Sequence, residues 1–379
     1  MKKIILTGLL GLLLNIPLWA QKNNGYVITG KIENQGNAKV LLGYPDKSSA
    51  NGMHIDSVAA VDGFFTLQGT ITEPTLAYLF TKVRSKNMNM QQFVLSPTRI
   101  QISGDAKNLD QAKLSDDFYN APFNKYKQLS EMPDLISARL DQHYRLAKKA
   151  KDTLLIKQYS DSIKVADEQK DQIRKQFIAA HPKAWITPYI MQAYLVSTPV
   201  EILEPMYLKL DKSIQKTAYG KVIADKINGL KATKPGQQAI GFIKTDKEGK
   251  TIDLGKYKGK YVLLDFWGSW CGPCRASHPH LKALYQQYKD KGFEILGIAY
   301  ENGASLAEQK KSWLKAITED GLPWTQLLSN EGAEKQDIVK LYGVSAFPTK
   351  ILLDKKGKIL ARYTGDGTDI DGKLAELIK

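Results

Sequence analysis

Residues 261–279 constrain this chain more than any other stretch. They read Tyr-Val-Leu-Leu-Asp-Phe-Trp-Gly-Ser-Trp, then Cys271-Gly272-Pro273-Cys274, then Arg-Ala-Ser-His-Pro. The opening apolar run suits a strand buried on both faces. Leu281, Leu284, Tyr285 and Tyr288 then recur at helical spacing, so a helix follows. The two cysteines therefore fall where a strand ends and a helix begins. A helix N-terminus carries unpaired N–H groups and partial positive charge, which favour a thiolate over a thiol. Pro273 is tolerated there, because the N–H it lacks belongs to the unpaired first turn. Cys271 is expected to be the exposed attacking thiolate, and Cys274, a turn deeper, the resolving thiol.

The chain holds no cysteines beyond this pair. Disulfides used for strength are spread along a sequence, and a loop closed over two residues constrains the unfolded chain very little. The pair is suited to redox chemistry rather than stapling. Asp265 lies inside the apolar strand, where burial should raise its pKa and fit it to exchange a proton with Cys274. Trp270 should shield and orient Cys271, while Trp267 reads as a packing residue.

Asp265-Phe266-Trp267, Trp270-Cys271-Gly272-Pro273-Cys274 and Pro279 together resemble the thioredoxin active-site segment. The wider layout is similar to TlpA/ResA-type extracytoplasmic thiol–disulfide oxidoreductases, over roughly the last 140 residues on the reading of these motifs. The resemblance implies that Phe347-Pro348-Thr349 is a cis-proline turn facing the cysteines, with the Phe347 backbone free to pair with a substrate strand. It makes Trp270, Gly272, Pro273, Phe347 and Pro348 the substrate-orienting positions. It further implies protein-disulfide substrates, a membrane electron donor for re-reduction and no bound cofactor. Members of the group often carry Glu three residues after the second cysteine; here Ser277 stands there, which shifts proton handling onto Asp265.

Other chemistries fit these residues less well. Cys271, Cys274, His278 and His280 are possible zinc ligands, but a closed structural site separates its ligand pairs by roughly 12 or more residues. Peroxiredoxins carry Thr and Pro where this chain has Gly268 and Leu264. A disulfide isomerase or oxidase of the same fold is the runner-up, and a redox-inactive binding module is the third class.

The rest of the chain divides by composition. Met1-Lys2-Lys3, an apolar run over residues 4–14 and Leu18-Trp19-Ala20 resemble a secretory signal over 1–20, with an uncleaved anchor as the alternative, and predict a periplasmic protein. Short β-type runs with turn signals over 21–115 predict an antiparallel sandwich or barrel, with Asp62-Gly63 turning a hairpin. Residues 116–232 read as several helices broken at Pro133, Pro182, Pro188, Pro199 and Pro205, and 233–379 as the thioredoxin-like α/β domain. His143 and His181 are read as exposed or capping residues. The net charge of +15 is scattered as lysines over amphipathic segments, without the clustered basic and aromatic pattern of a nucleic-acid surface. Within the last domain, helices are expected over 305–318, 333–342 and 369–378.

Overall fold

A computed structural model describes residues 25–46, 52–81, 90–115, 118–365 and 370–378. The signal pattern lies outside the described residues. The chain forms two compact units, divided between residues 123 and 124.

The first unit is all-β. Its strands are β1 (Gly25–Glu33), β2 (Lys39–Pro45), β3 (Met53–Ala59), β4 (Phe64–Thr70), β5 (Thr75–Thr81), β6 (Met90–Leu95), β7 (Arg99–Asp105) and β8 (Lys113–Leu114). They form two four-stranded sheets, ordered β4-β1-β7-β8 and β3-β2-β5-β6. Ile28, Ile32, Leu67, Ile100 and Ile102 from the first pack with Leu42, Ala77, Leu79 and Phe93 from the second. The sandwich is not wholly antiparallel, because β1 and β7 pair in parallel. Asp62 and Gly63 do make a tight turn, both at positive φ, closed by reciprocal Val61 and Phe64 hydrogen bonds of 2.9 Å. The strands it joins belong to different sheets, so the turn is a corner rather than a hairpin.

The division falls in the first turn of α1 (Asn120–Ala150), which is followed by α2 (Thr153–Ala180). Lys170 reaches Asp134 at 3.1 Å and His143 stacks on Tyr159 at 5.3 Å, so the two helices run antiparallel. Pro133 lies inside α1 and does not break it. The carbonyl it leaves unpaired belongs to exposed Leu129, where water can satisfy it. His181 caps α2, its Nδ1 3.0 Å from the Phe177 carbonyl. There follow α3 (Thr187–Met191), α4 (Val200–Leu208), α5 (Lys212–Gln215) and α6 (Ala218–Ala232).

The thioredoxin-like part begins with a short hairpin, β9 (Ile243–Thr245) and β10 (Thr251–Asp253). Then come β11 (Tyr261–Trp267), α7 (Gly272–Tyr288), β12 (Phe293–Ala299), α8 (Leu306–Asp320), β13 (Thr325–Leu328), α9 (Ile338–Leu341), β14 (Thr349–Leu353), β15 (Ile359–Thr364) and α10 (Ile370–Leu377). The sheet order is β13-β12-β11-β14-β15; β14 runs antiparallel to the first three strands and to β15. Ser305 Oγ accepts the Glu308 N–H at 3.3 Å and starts α8 as its sequence predicts. The helix expected over 333–342 shrinks to the single turn α9, because residues around Gly332, at positive φ, form turns instead.

Strand alternation sorts the core into two layers. Leu263 and Trp267 of β11 pack with Leu281, Leu284 and Tyr288 of α7, Trp313 and Ile317 of α8, and Ile370 and Leu374 of α10. Val262, Leu264 and Phe266 point the other way, toward Phe242, Ile338 and Tyr342. Each such side chain buried contributes about 1.5–3 kcal/mol.

The segment leading into the Pro348 turn is held by the helices before it. Lys226 of α6 donates to the Gly343 carbonyl at 2.6 Å and to Ser345 Oγ at 2.7 Å, and Ser345 Oγ donates to the Leu195 carbonyl at 2.5 Å. Burial, then the charge of Arg362, pushes the Lys226 pKa down to about 8. Gly229 of α6 lies so close that a Cβ there would come within 2.5 Å of the Gly343 nitrogen.

Candidate active site

Cys271 is the N-cap of α7, and it is disulfide-bonded to Cys274. The Cys274 N–H donates to Cys271 Sγ at 3.2 Å, so the first turn of the helix directs a free donor at that sulfur. The expectation that Cys271 is exposed is corrected: in the disulfide form it is 4% exposed. Its sulfur lies in the same packed cluster as Trp267 and Leu263, with Phe347 against it. The exposed positions beside the pair are Gly272, Pro273 and Trp270.

Trp270 is 47% exposed, and its indole N–H donates to the Tyr300 carbonyl at 2.9 Å. Its ring meets Phe347 edge-on at 5.5 Å, while Tyr300 stacks on Phe347 at 5.9 Å. The Phe347–Pro348 bond is cis. Trp270 and Phe347, far apart in sequence, are thus brought together beside the disulfide through their shared packing. The loop before Trp270 is fixed by Glu301, whose carboxylate accepts from the Ser269 N–H at 2.7 Å and its hydroxyl at 2.5 Å. Burial raises the Glu301 pKa, and the two Ser269 hydrogen bonds oppose that rise.

Asp265 shares the parity of Leu263 and Trp267, so it faces the α7 side of the sheet. It is 2% exposed. Burial pushes its pKa up, against the opposing charges of Lys350 and His278. Lys350 is its register partner on β14 and is 0% exposed; its Nζ lies 3.7 Å from Asp265 Oδ1 and 3.4 Å from Ser277 Oγ. Ser277 in turn donates to the Cys274 carbonyl at 2.8 Å.

His278 is engaged by residues other than the cysteines. Its Nδ1 bonds Asp320 at 2.7 Å, and its ring meets Trp267 edge-on at 5.0 Å. Arg275 holds the same Asp320 carboxylate at 2.6 Å, and the hydrogen bonds and charges of both partners keep its pKa low against burial. His280 bonds Asp371 at 2.9 Å. Among the described residues no group of three or more His, Cys, Asp and Glu side chains could hold a metal ion.

Sequence reasoning does not single out Lys350 or Glu301. Each looks like one of many scattered charges, and only strand register or loop closure reveals its partner.

A disulfide-bonded cysteine pair at the strand–helix junction of a five-stranded thioredoxin-like sheet is the arrangement of the thiol–disulfide oxidoreductase class. Residues 231–377 match the Redoxin family, and residues 26–121 match a domain of unknown function, DUF4369. A thiol-disulfide oxidoreductase ResA from Bacillus thuringiensis subsp. konkukian is 38% identical over 134 residues, covering 35% of this chain and 71% of that protein. ResA from Bacillus thuringiensis strain Al Hakam is 33% identical over 172 residues, 45% of this chain and 91% of the relative. Among solved structures, the thioredoxin domain of a thiol-disulfide oxidoreductase from Bacteroides vulgatus is 34% identical, with a TM-score of 0.35 over 38% of this chain and 99% of that one. The chain belongs to the ResA-type thiol-disulfide oxidoreductase family.

Proposed function

We propose that the protein acts outside the cytoplasm, in the periplasm, where it reduces disulfides of protein substrates and is recharged by a membrane electron donor. The observation that carries this is the place of Cys271 as N-cap of α7, with the Cys274 N–H directed at its sulfur. The same donor and the helix dipole would stabilise the Cys271 thiolate once the bond is reduced. The signal pattern over 1–20 supports export, and no helix among the described residues is long and apolar enough to cross a membrane. The organisation that goes with this reading is a signal segment over 1–20, a β-domain over 21–115, a helical region over 116–232 and the redox domain over 233–379.

In the reduced protein, the Cys271 thiolate attacks a substrate disulfide. A Cys271–substrate bond forms, the substrate S–S bond breaks, and one substrate sulfur leaves as thiolate. The Cys274 thiol then passes its proton to the Asp265 carboxylate. The resulting thiolate attacks Cys271 Sγ, closes the Cys271–Cys274 disulfide found here and frees the second substrate sulfur. Trp270, Phe347 and Tyr300 give the substrate an aromatic wall beside the reacting sulfur. By resemblance, Gly272, Pro273 and Pro348 leave room for its backbone, and Phe347 pairs with it.

The Gly-Pro spacer, which is thioredoxin's, supports the reducing direction; thioredoxin sits at about −270 mV, against about −120 mV for the oxidant DsbA. Insulin reduction with dithiothreitol tests the reading: the mature protein should accelerate it, and Cys271→Ser should abolish the effect. An isomerase or oxidase remains the second reading, and its mark would be a potential above about −180 mV.

A further inference from the structure

A buried ammonium is costly unless something in the fold uses it. Lys350 is fully buried, and its Nζ is directed at Asp265 and Ser277 rather than at a backbone carbonyl. Both neighbours lead to the resolving cysteine, because Ser277 bonds the Cys274 carbonyl and Asp265 is the base proposed above. Three residues after the second cysteine, Ser277 stands within reach of the buried Lys350 ammonium.

We propose that Lys350 is a positioning residue for the second half-reaction: its ammonium holds Asp265 as a carboxylate, ready to take the Cys274 proton, and anchors that turn of α7 through Ser277. This rests on Asp265 being the base. Without Lys350, the apolar walls of Leu263, Trp267 and α7 would keep Asp265 neutral, and a neutral acid cannot accept the proton.

The charged groups acting on Asp265 come from two elements. Lys350 comes from β14, and His278 comes from α7, where its Nδ1 is bonded to Asp320 of α8, which Arg275 also grips. On the third side, Gly297 of β12 stands opposite Asp265 in register and brings no side chain. Lys350 is thus the cation directly across from the carboxylate. Once Asp265 holds the proton, the same ammonium favours its release, which resets the base for the next cycle.

The test is the rate of mixed-disulfide resolution in a single turnover, followed across pH. In the wild-type protein a rising limb should report ionisation of Asp265, and Asp265→Asn should remove it. Lys350→Met should move that limb upward by a unit or more. Resolution at neutral pH then falls about tenfold or more and recovers as pH is raised. In an Asp265→Asn background, Lys350→Met should shift nothing further. Should Lys350→Met not fold, Lys350→Gln carries the same comparison with a polar head retained.

A uniform loss of rate with the limb unmoved would make Lys350 merely structural and overturn the inference. So would a shift that persists in the Asp265→Asn background. If Asp265→Asn itself leaves the limb in place, the base assignment fails and this role fails with it, a result distinct from both.

Discussion

In the proposed mechanism, replacing Cys274 by serine keeps the attacking sulfur and removes the resolving one. Such a variant should accumulate a covalent complex with substrate through Cys271, visible as a dithiothreitol-sensitive mass increase, while Cys271→Ser should accumulate none. Glu301 offers a second test at this scale, through stability rather than rate. Its pKa is raised in the folded state, so its contribution is fully present below the ordinary carboxylate pKa and is lost as pH rises through the raised value. Between pH 4 and pH 7 the wild-type protein should therefore lose more stability than Glu301→Gln. The difference should be about 1.4 kcal/mol for each unit of elevation, measured by guanidinium denaturation at both pH values. Some of these residues are legible in the sequence alone. Cys271, Cys274 and Asp265 announce themselves by spacing and by a charge in an apolar strand. Lys350 does not, because its partner is chosen by the pairing of β11 with β14, which joins residues 85 positions apart by their numbering.

Among the elements, α6 carries the clearest prediction. Alanine in place of a helical glycine ordinarily stabilises by roughly 0.5–1 kcal/mol. At Gly229 the sign should reverse, because the new methyl would meet the Gly343 backbone at 2.5 Å. Gly229→Ala should lower stability by about 1–3 kcal/mol, read as a lower denaturant midpoint at unchanged slope. Element identity is readable where periodicity is strong and ends are marked. The buried run of β11, the capped start of α8 and the β14–β15 hairpin around Lys355-Lys356-Gly357 all form as their residues indicate. Elsewhere, distant contacts overrule local signals. Pro133 looks like a helix end yet sits within α1, and the apolar spacing over 333–342 yields only one helical turn. The parallel pairing of β1 with β7 likewise depends on a long connection that carries no local mark.

For the whole molecule, the decisive quantity is the equilibrium potential of the Cys271–Cys274 couple. Titration against glutathione or dithiothreitol should place it below about −180 mV, on the reducing side of protein disulfide isomerase. Composition suggests the three-part division of the chain, but it gives no sign of the grip of the helices on the redox fold. Lys226, Gly229 and Leu195 each hold some part of residues 343–345, two positions short of Phe347. For protein engineering this makes the helices and the redox fold poor candidates for free exchange. A chimera that swaps in a relative's redox domain must also import a glycine and a small hydroxyl at those positions, or the turn that carries Phe347 will be set by the wrong host.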